Sequence, residues 1–223
     1  MSPIAENITR IRESLPAEVR LVAVSKFHPA ASIQEAYDAG HRLFGESRVQ
    51  ELLQKQQQLP DDIEWHFIGH LQRNKVKMIV PFVSLIHSID SPRLLAEVNK
   101  EAACAGRVVD CLLQIHIAQE ESKFGFTVGE CEAFLTSGAW REYTSVRICG
   151  VMGMATFTDD ERQIRSEFDT LKRFFDRMKR ACFPEEDFFT EISMGMSDDW
   201  PLAVASGSSM VRVGSGIFGA RIY

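Results

Sequence analysis

The chain has 223 residues, 45% of them hydrophobic and 25% charged, the make-up of a globular protein long enough to bury a core without disulfide or metal staples. With 25 basic against 31 acidic residues the formal charge is −6, and the absence of a Lys/Arg block argues against nucleic acid as a partner. No apolar run reaches the roughly 18 residues of a membrane span, residues 1–15 are too polar for a signal peptide, and five cysteines without a C-x-x-C pair read as reduced, packed thiols of a cytoplasmic protein.

An amphipathic helix is predicted over 4–15, followed by a strand over 20–25 (RLVAVS). A helix over 31–39 starts just after Pro29, and a short strand over 42–45 leads to a helix over 48–58. A strand over 63–69 precedes a helix over 73–80 that stops at Pro81. The strand over 83–89 is followed by a helix over 91–105, with Ser91 as its N-cap, Pro92 in the first turn and Gly106 just past the end. A strand over 109–117 and a helix over 128–137 come next, then a strand over 146–152. The longest helix, 160–181, carries Ile164, Phe168, Leu171, Phe175 and Met178 at helical spacing. Strands over 188–192 and 210–213 flank a last helix over 198–206.

Strand–helix alternation along the whole chain implies parallel strands joined by crossover helices. Eight such strands predict an α/β fold of the (β/α)8 TIM-barrel type with an extra N-terminal helix, one domain over residues 1–223. An open doubly wound sheet is the alternative, weakened because no G-x-G-x-x-G follows the first strand.

A barrel works at the C-terminal ends of its strands. Lys26 ends the first strand, as either a solvated lysine or an amine whose partial burial favours the neutral, nucleophilic form that makes a Schiff base. After the seventh and eighth strands, Ser193-Met194-Gly195-Met196-Ser197-Asp198 and Val213-Gly214-Ser215-Gly216 place glycine and a hydroxyl where a helix begins. Such turns are either ordinary tight turns or an anion cradle, and loops seven and eight are the usual phosphate site of these barrels. Arg212 interrupts an apolar strand and points away from Val211 and Val213, so it faces a ligand atom or an ion-pair partner such as Glu191.

Other candidates are weaker. His66 and His70 lack a third ligand at metal spacing. His87 and His116 read as packed or hydrogen-bonded histidines. Lys123 lies in the loop after the fifth strand, lining the mouth or simply solvated. Met152, Met154, Met194 and Met196 are expected to pad the cavity wall.

These residues carry a resemblance. Val24-Ser25-Lys26, Phe44-Gly45-Glu46, the run from Trp65 to Lys75, His87-Ser88-Ile89-Asp90, Lys123-Phe124-Gly125, Gly150-Val151-Met152, the run from Ser193 to Asp198 and that from Val211 to Gly219 together resemble the pyridoxal phosphate homeostasis proteins. Those are single-domain relatives of the fold-type III alanine racemases. The likeness covers residues 4–223.

The resemblance implies that Lys26 holds pyridoxal 5′-phosphate (PLP) as a Schiff base. It implies that Ser197, Gly214 and Ser215 bind the phosphate and that Arg212 faces the pyridine nitrogen, with Met196 and Lys123 as further contacts. Ser47 stands where the family has asparagine after Phe-Gly-Glu, and Ser215-Gly216 where threonine or serine followed by alanine is commoner. A permanently charged donor at the ring nitrogen favours its unprotonated form and makes the ring a weaker electron sink.

The expected function is therefore a non-enzymatic protein of PLP (vitamin B6) homeostasis, with PLP-dependent apo-enzymes as the partners it suggests. A racemase needs acid–base groups on both faces of its substrate. In two-domain racemases the second group is a tyrosine from a second domain, and here Tyr37, Tyr143 and Tyr223 fall outside the predicted strand-end loops. Without that domain a monomer is expected. The alternatives are a slow PLP-dependent racemase or lyase, more distantly a class I aldolase using a lysine Schiff base, and a barrel that has lost its ligand.

Overall fold

The computed structural model describes residues 2–120 and 124–219. The first helix, α1 (Pro3–Ser14), is started by the Ser2 hydroxyl, which accepts from Ala5 N–H at 3.3 Å. It is followed by β1 (Arg20–Val24), α2 (Ala30–Asp38), β2 (Leu43–Glu46), α3 (Val49–Gln56) and β3 (Glu64–Phe67). Then come α4 (Val76–Ile79), β4 (Leu85–Ile89), α5 (Pro92–Cys104), β5 (Val109–Gln114), α6 (Val128–Ser137), β6 (Val146–Met152) and α7 (Glu161–Cys182). The chain closes with β7 (Glu191–Ser193), α8 (Trp200–Ala205), β8 (Met210–Val213) and α9 (Ser215–Phe218).

All strand pairs are parallel and follow chain order. The pairing of β1 with β8, Val22 opposite Arg212, closes the sheet into a barrel and excludes the open doubly wound alternative. Strand alternation sorts the apolar residues into two clusters. Val22, Leu43, Leu85, Leu112, Cys149, Met152 and Met210 fill the lumen. Ala23, Phe44, Phe67, Leu113, Val151, Val211 and Val213 pack outward against the helices. The N-terminal end of the lumen is rimmed by paired charges: Arg20 bonds Glu64 at 3.1 Å and Glu191 at 3.7 Å, and Arg147 bonds Asp110 at 2.7 Å. The working end of such a barrel is the other, C-terminal one.

Three predicted elements change. The helix expected over 73–80 is a 3-10 turn, Arg73–Lys75, followed by the single turn of α4. The strand expected over 188–192 starts later, because the Phe189 ring stacks on Phe183 and Phe175, at centroid distances of 4.1 and 4.9 Å. Pairing with β6 begins only where Glu191 lies opposite Gly150. The fifth strand ends at Gln114, since Ile115 makes only an isolated bridge to Phe126. Cys111, Cys131, Cys149 and Cys182 are buried free thiols, and Cys104 is exposed. Among the described residues no helix is long and apolar enough to cross a membrane.

Candidate cofactor site

At the C-terminal mouth lies a cavity of about 300 Å³, at the low end for small-molecule sites. Lys26, Ser47, Met196, Ser197, Arg212, Gly214 and Ser215 all line it. Lys123 lies outside the described residues. Alternation along β1 explains the lysine: Ala23 and Ser25 face the helices, while Val22, Val24 and then Lys26 face the lumen.

One side of the cavity is built by two turns. Gly195, with φ +93°, lies so close to α8 that a Cβ there would sit 2.6 Å from Ala203 Cβ. Its carbonyl accepts from Arg212 N–H at 3.0 Å, tying the β7 turn to β8. The Ser197 hydroxyl accepts from Gly214 N–H at 3.2 Å, so the two predicted turns meet. The first backbone bonds of α9 run from Ile217 and Phe218 N–H to Gly214 O, leaving the N–H groups of Ser215 and Gly216 ahead of them.

Arg212 is 4% exposed and makes no ion pair with Glu191, correcting that expectation. Glu191 turns to Arg20 at the opposite end of the lumen. Arg212 Nη1 instead donates to Ser193 O at 2.8 Å and Ser193 Oγ at 2.6 Å, and Nη2 donates to Gly153 O at 3.1 Å. Burial lowers its pKa to about 10, against a smaller upward pull from Asp199, so the guanidinium remains charged at neutral pH. A chain of neutral dipoles backs it. Ser193 Oγ lies 3.0 Å from His87 Nδ1, and His87 Nε2 lies 2.9 Å from His66 Nδ1. Burial holds His66 near pKa 3 and His87 well below its ordinary value, so both are neutral. Each neutral imidazole carries one N–H and one lone pair, so the Ser193 hydroxyl and the two histidines link through donor–acceptor pairs set by their tautomers.

The other candidates are settled by their contacts. His70 stacks on Phe124 at 4.1 Å and bonds Asp90 at 3.2 Å, while His66 bonds His87 instead. His116 Nε2 lies 2.9 Å from Glu120 O. Among the described residues no cluster of three His, Cys, Asp or Glu could hold a metal. Met154 and Met196 line the cavity, but Met152 lies in the lumen core and Met194 packs outward against the helices, correcting the expectation for that pair. His28, Ile68 and Phe157 also line the cavity and were not singled out. His28 and Ile68 lie just past the ends of β1 and β3, which was the available signal. Phe157, 89% exposed, sits in a loop with no periodic signal.

A closed eight-stranded parallel barrel of this kind is the fold of the alanine racemase N-terminal domain. The model of that family, "Alanine racemase, N-terminal domain", matches residues 1–222. The pyridoxal phosphate homeostasis protein of Escherichia coli K12 is 35% identical over 240 residues, covering 100% of this chain and 99% of its own. PipY of Synechococcus elongatus, solved with PLP bound, is 39% identical, with a TM-score of 0.87 over 97% of this chain and 100% of PipY. The chain belongs to the pyridoxal phosphate homeostasis protein family. The alanine racemase of Streptomyces lavendulae, 16% identical with a TM-score of 0.75 over 98% of this chain and 59% of its own, shares the fold.

Proposed function

We propose that this chain binds pyridoxal 5′-phosphate at the C-terminal mouth of its barrel and acts in intracellular vitamin B6 homeostasis as a carrier rather than an enzyme. The observation that carries the reading is the convergence of Lys26, Arg212, Ser197, Gly214 and Ser215 on one cavity. The donor set fits the cofactor: an amine for an aldehyde, a guanidinium for a ring nitrogen, and hydroxyls with backbone N–H groups for a phosphate. Lys26 would hold the cofactor at its aldehyde carbon, with the aldehyde oxygen leaving as water. Ser197, Ser215 and the first N–H groups of α9 would hold the phosphate. Arg212 would donate to the pyridine nitrogen, and Ser47 and Met196 would close the rim. When bound, PLP supplies an aldehyde that can pass from one amine to another.

Arg212 also supports the carrier reading. The neutral chain behind it cannot take its proton, so the ring nitrogen faces a fixed donor and the ring stays a weak electron sink. Among the described residues no tyrosine lines the cavity: the Tyr37 hydroxyl donates to Asp62 at 2.7 Å, and Tyr143 follows the 3-10 turn Ala139–Glu142, ahead of β6 at the other end of the barrel. Tyr223 lies outside the described residues. The reading takes residues 1–223 as one PLP-binding domain, monomeric and cytoplasmic, with PLP-dependent apo-enzymes as recipients.

The test is an absorption spectrum with added PLP, beside Lys26→Ala. A near-visible band that borohydride fixes onto Lys26, absent in the variant, is expected. No band in either protein would remove the reading. Racemisation or transamination of several amino acids at ordinary enzyme rates would replace the carrier by an enzyme.

A further inference from the structure

Behind the barrel wall, on the helix side of Lys26, lies a group of buried charges that the cofactor reading does not use. Lys55 of α3 is 5% exposed, and Glu46 at the end of β2 is fully buried. Lys55 Nζ donates to Ser25 O at 2.8 Å, to Glu46 Oε1 at 2.6 Å and to Glu51 Oε1 at 2.6 Å, which uses all three of its donors. Ser25 Oγ donates to the same Glu46 oxygen at 2.6 Å. Glu51 Oε1 accepts from Phe27 N–H at 2.6 Å. The residues on either side of Lys26 are thus held from behind by one cluster, Ser25 by its carbonyl and hydroxyl and Phe27 by its N–H.

The held turn is strained. Phe27 has φ 68°, the one positive value at a non-glycine position among the described residues. Its ring lies under the Arg48 guanidinium, 4.6 Å from centroid to carbon. A non-glycine residue persists in the left-handed region where its surroundings over-determine it, and such positions gather at functional sites. Here the left-handed residue directly follows the lysine whose side chain faces the cavity. A buried ammonium with two carboxylates is also a poor way to gain stability, since desolvation offsets much of the attraction. Its geometry points to a task, and that task is the main chain around Lys26.

We propose that Lys55, Glu51 and Glu46 form a positioning clamp that fixes the main chain on either side of Lys26 and so aims its amine at the aldehyde of the bound ligand. This rests on the cofactor reading above. The three are positioning residues: none of them lines the cavity. The clamp acts on Lys26, and the anion turns of β7 and β8 lie outside it. Schiff-base formation should therefore depend on it, while binding of the ring and phosphate should not.

The experiment uses the full chain with Glu51→Gln, Lys55→Met and Lys55→Arg, and two ligands. PLP reports the rate of band formation. Pyridoxine 5′-phosphate, which has an alcohol in place of the aldehyde, reports ring and phosphate binding alone. Expected for Glu51→Gln and Lys55→Met is band formation slowed at least tenfold, with pyridoxine phosphate affinity within twofold of the unsubstituted chain and partial rescue in Lys55→Arg. In the ligand-free chain, amide hydrogen exchange at Phe27 should rise in Glu51→Gln. Should Lys55→Met fail to fold, Glu51→Gln, whose side chain is 19% exposed, carries the test. Band formation within twofold of the unsubstituted chain in folded Glu51→Gln overturns the clamp. So does an equal loss of pyridoxine phosphate binding, which would mark general support of the barrel. If the unsubstituted chain forms no band, the cofactor reading fails first and the clamp with it, whereas a normal band there with an unchanged Glu51→Gln removes the clamp alone.

Discussion

Arg212 Nη1 lies 2.6 Å from Ser193 Oγ, and that hydroxyl joins a lumen-facing guanidinium to the His87–His66 pair. One small side chain on β7, with the Ser193 and Gly153 carbonyls, thus satisfies a buried charge that no carboxylate among the described residues contacts. Ser193→Ala would leave His87 Nδ1 and one guanidinium N–H short of a partner. We expect a loss of about 1–3 kcal/mol of stability, read by urea denaturation, with weaker PLP binding. A stability unchanged within error would show that the hydroxyl is dispensable.

Arg212→Met tests the ring-nitrogen contact. It would leave the buried Ser193 and Gly153 carbonyls without the donors they now accept from, so a loss of about 1–3 kcal/mol of stability is expected. PLP affinity should drop at least tenfold in an absorbance titration. Full affinity in the variant would remove Arg212 from the ring-nitrogen role.

Ser197→Ala tests the phosphate side. Ser197 Oγ meets Gly214 N–H at 3.2 Å, so the hydroxyl belongs to the proposed anion turn rather than to the core. PLP should bind roughly tenfold more weakly, the effect of about 1.4 kcal/mol, while pyridoxal, which lacks the phosphate, should be unaffected. Equal losses for both ligands would point to a collapsed cavity.

Acid should destabilise the protein before its carboxylates titrate. Burial, with Arg12 beside it, lowers His41 to about 4, and burial lowers His66 to about 3. Both are depressed below the unfolded value of about 6.5. The unfolded chain therefore binds more protons between those limits, and stability rises with pH there. It is complete above about pH 6.5 and is lost as pH falls toward 4, on the order of 3 kcal/mol from His41 alone. Denaturation midpoints at pH 7, 6 and 5 should decrease in that order, and the slope should lessen in His41→Asn. A flat profile over this interval would contradict neutral burial of these imidazoles.

Much of this was legible along the chain. Eight alternating runs specified a barrel, and the bounds of β6, β8 and α6 match the predicted ones. The lumen-facing direction of Arg212 followed from strand alternation alone, because Val211 and Val213 flank it. Lys26 and the two glycine–serine turns were readable because a barrel places strand ends at one mouth. These are local features, spaced by two residues or by one strand–helix unit.

What pairs across the barrel could not be read this way. Ser193 meets His87 across 106 positions, and Lys55 reaches the Ser25 carbonyl across 30. Glu191 had looked a reasonable partner for Arg212, yet both side chains face the lumen near opposite ends, and Glu191 ends beside Arg20. By itself the sequence determined the alternation, the inward and outward faces and the chemistry at each strand end, because backbone periodicity dictates those. Only the tertiary structure decided which buried charge is satisfied by which partner, because closing the barrel brings together groups whose chain separation says nothing about their distance.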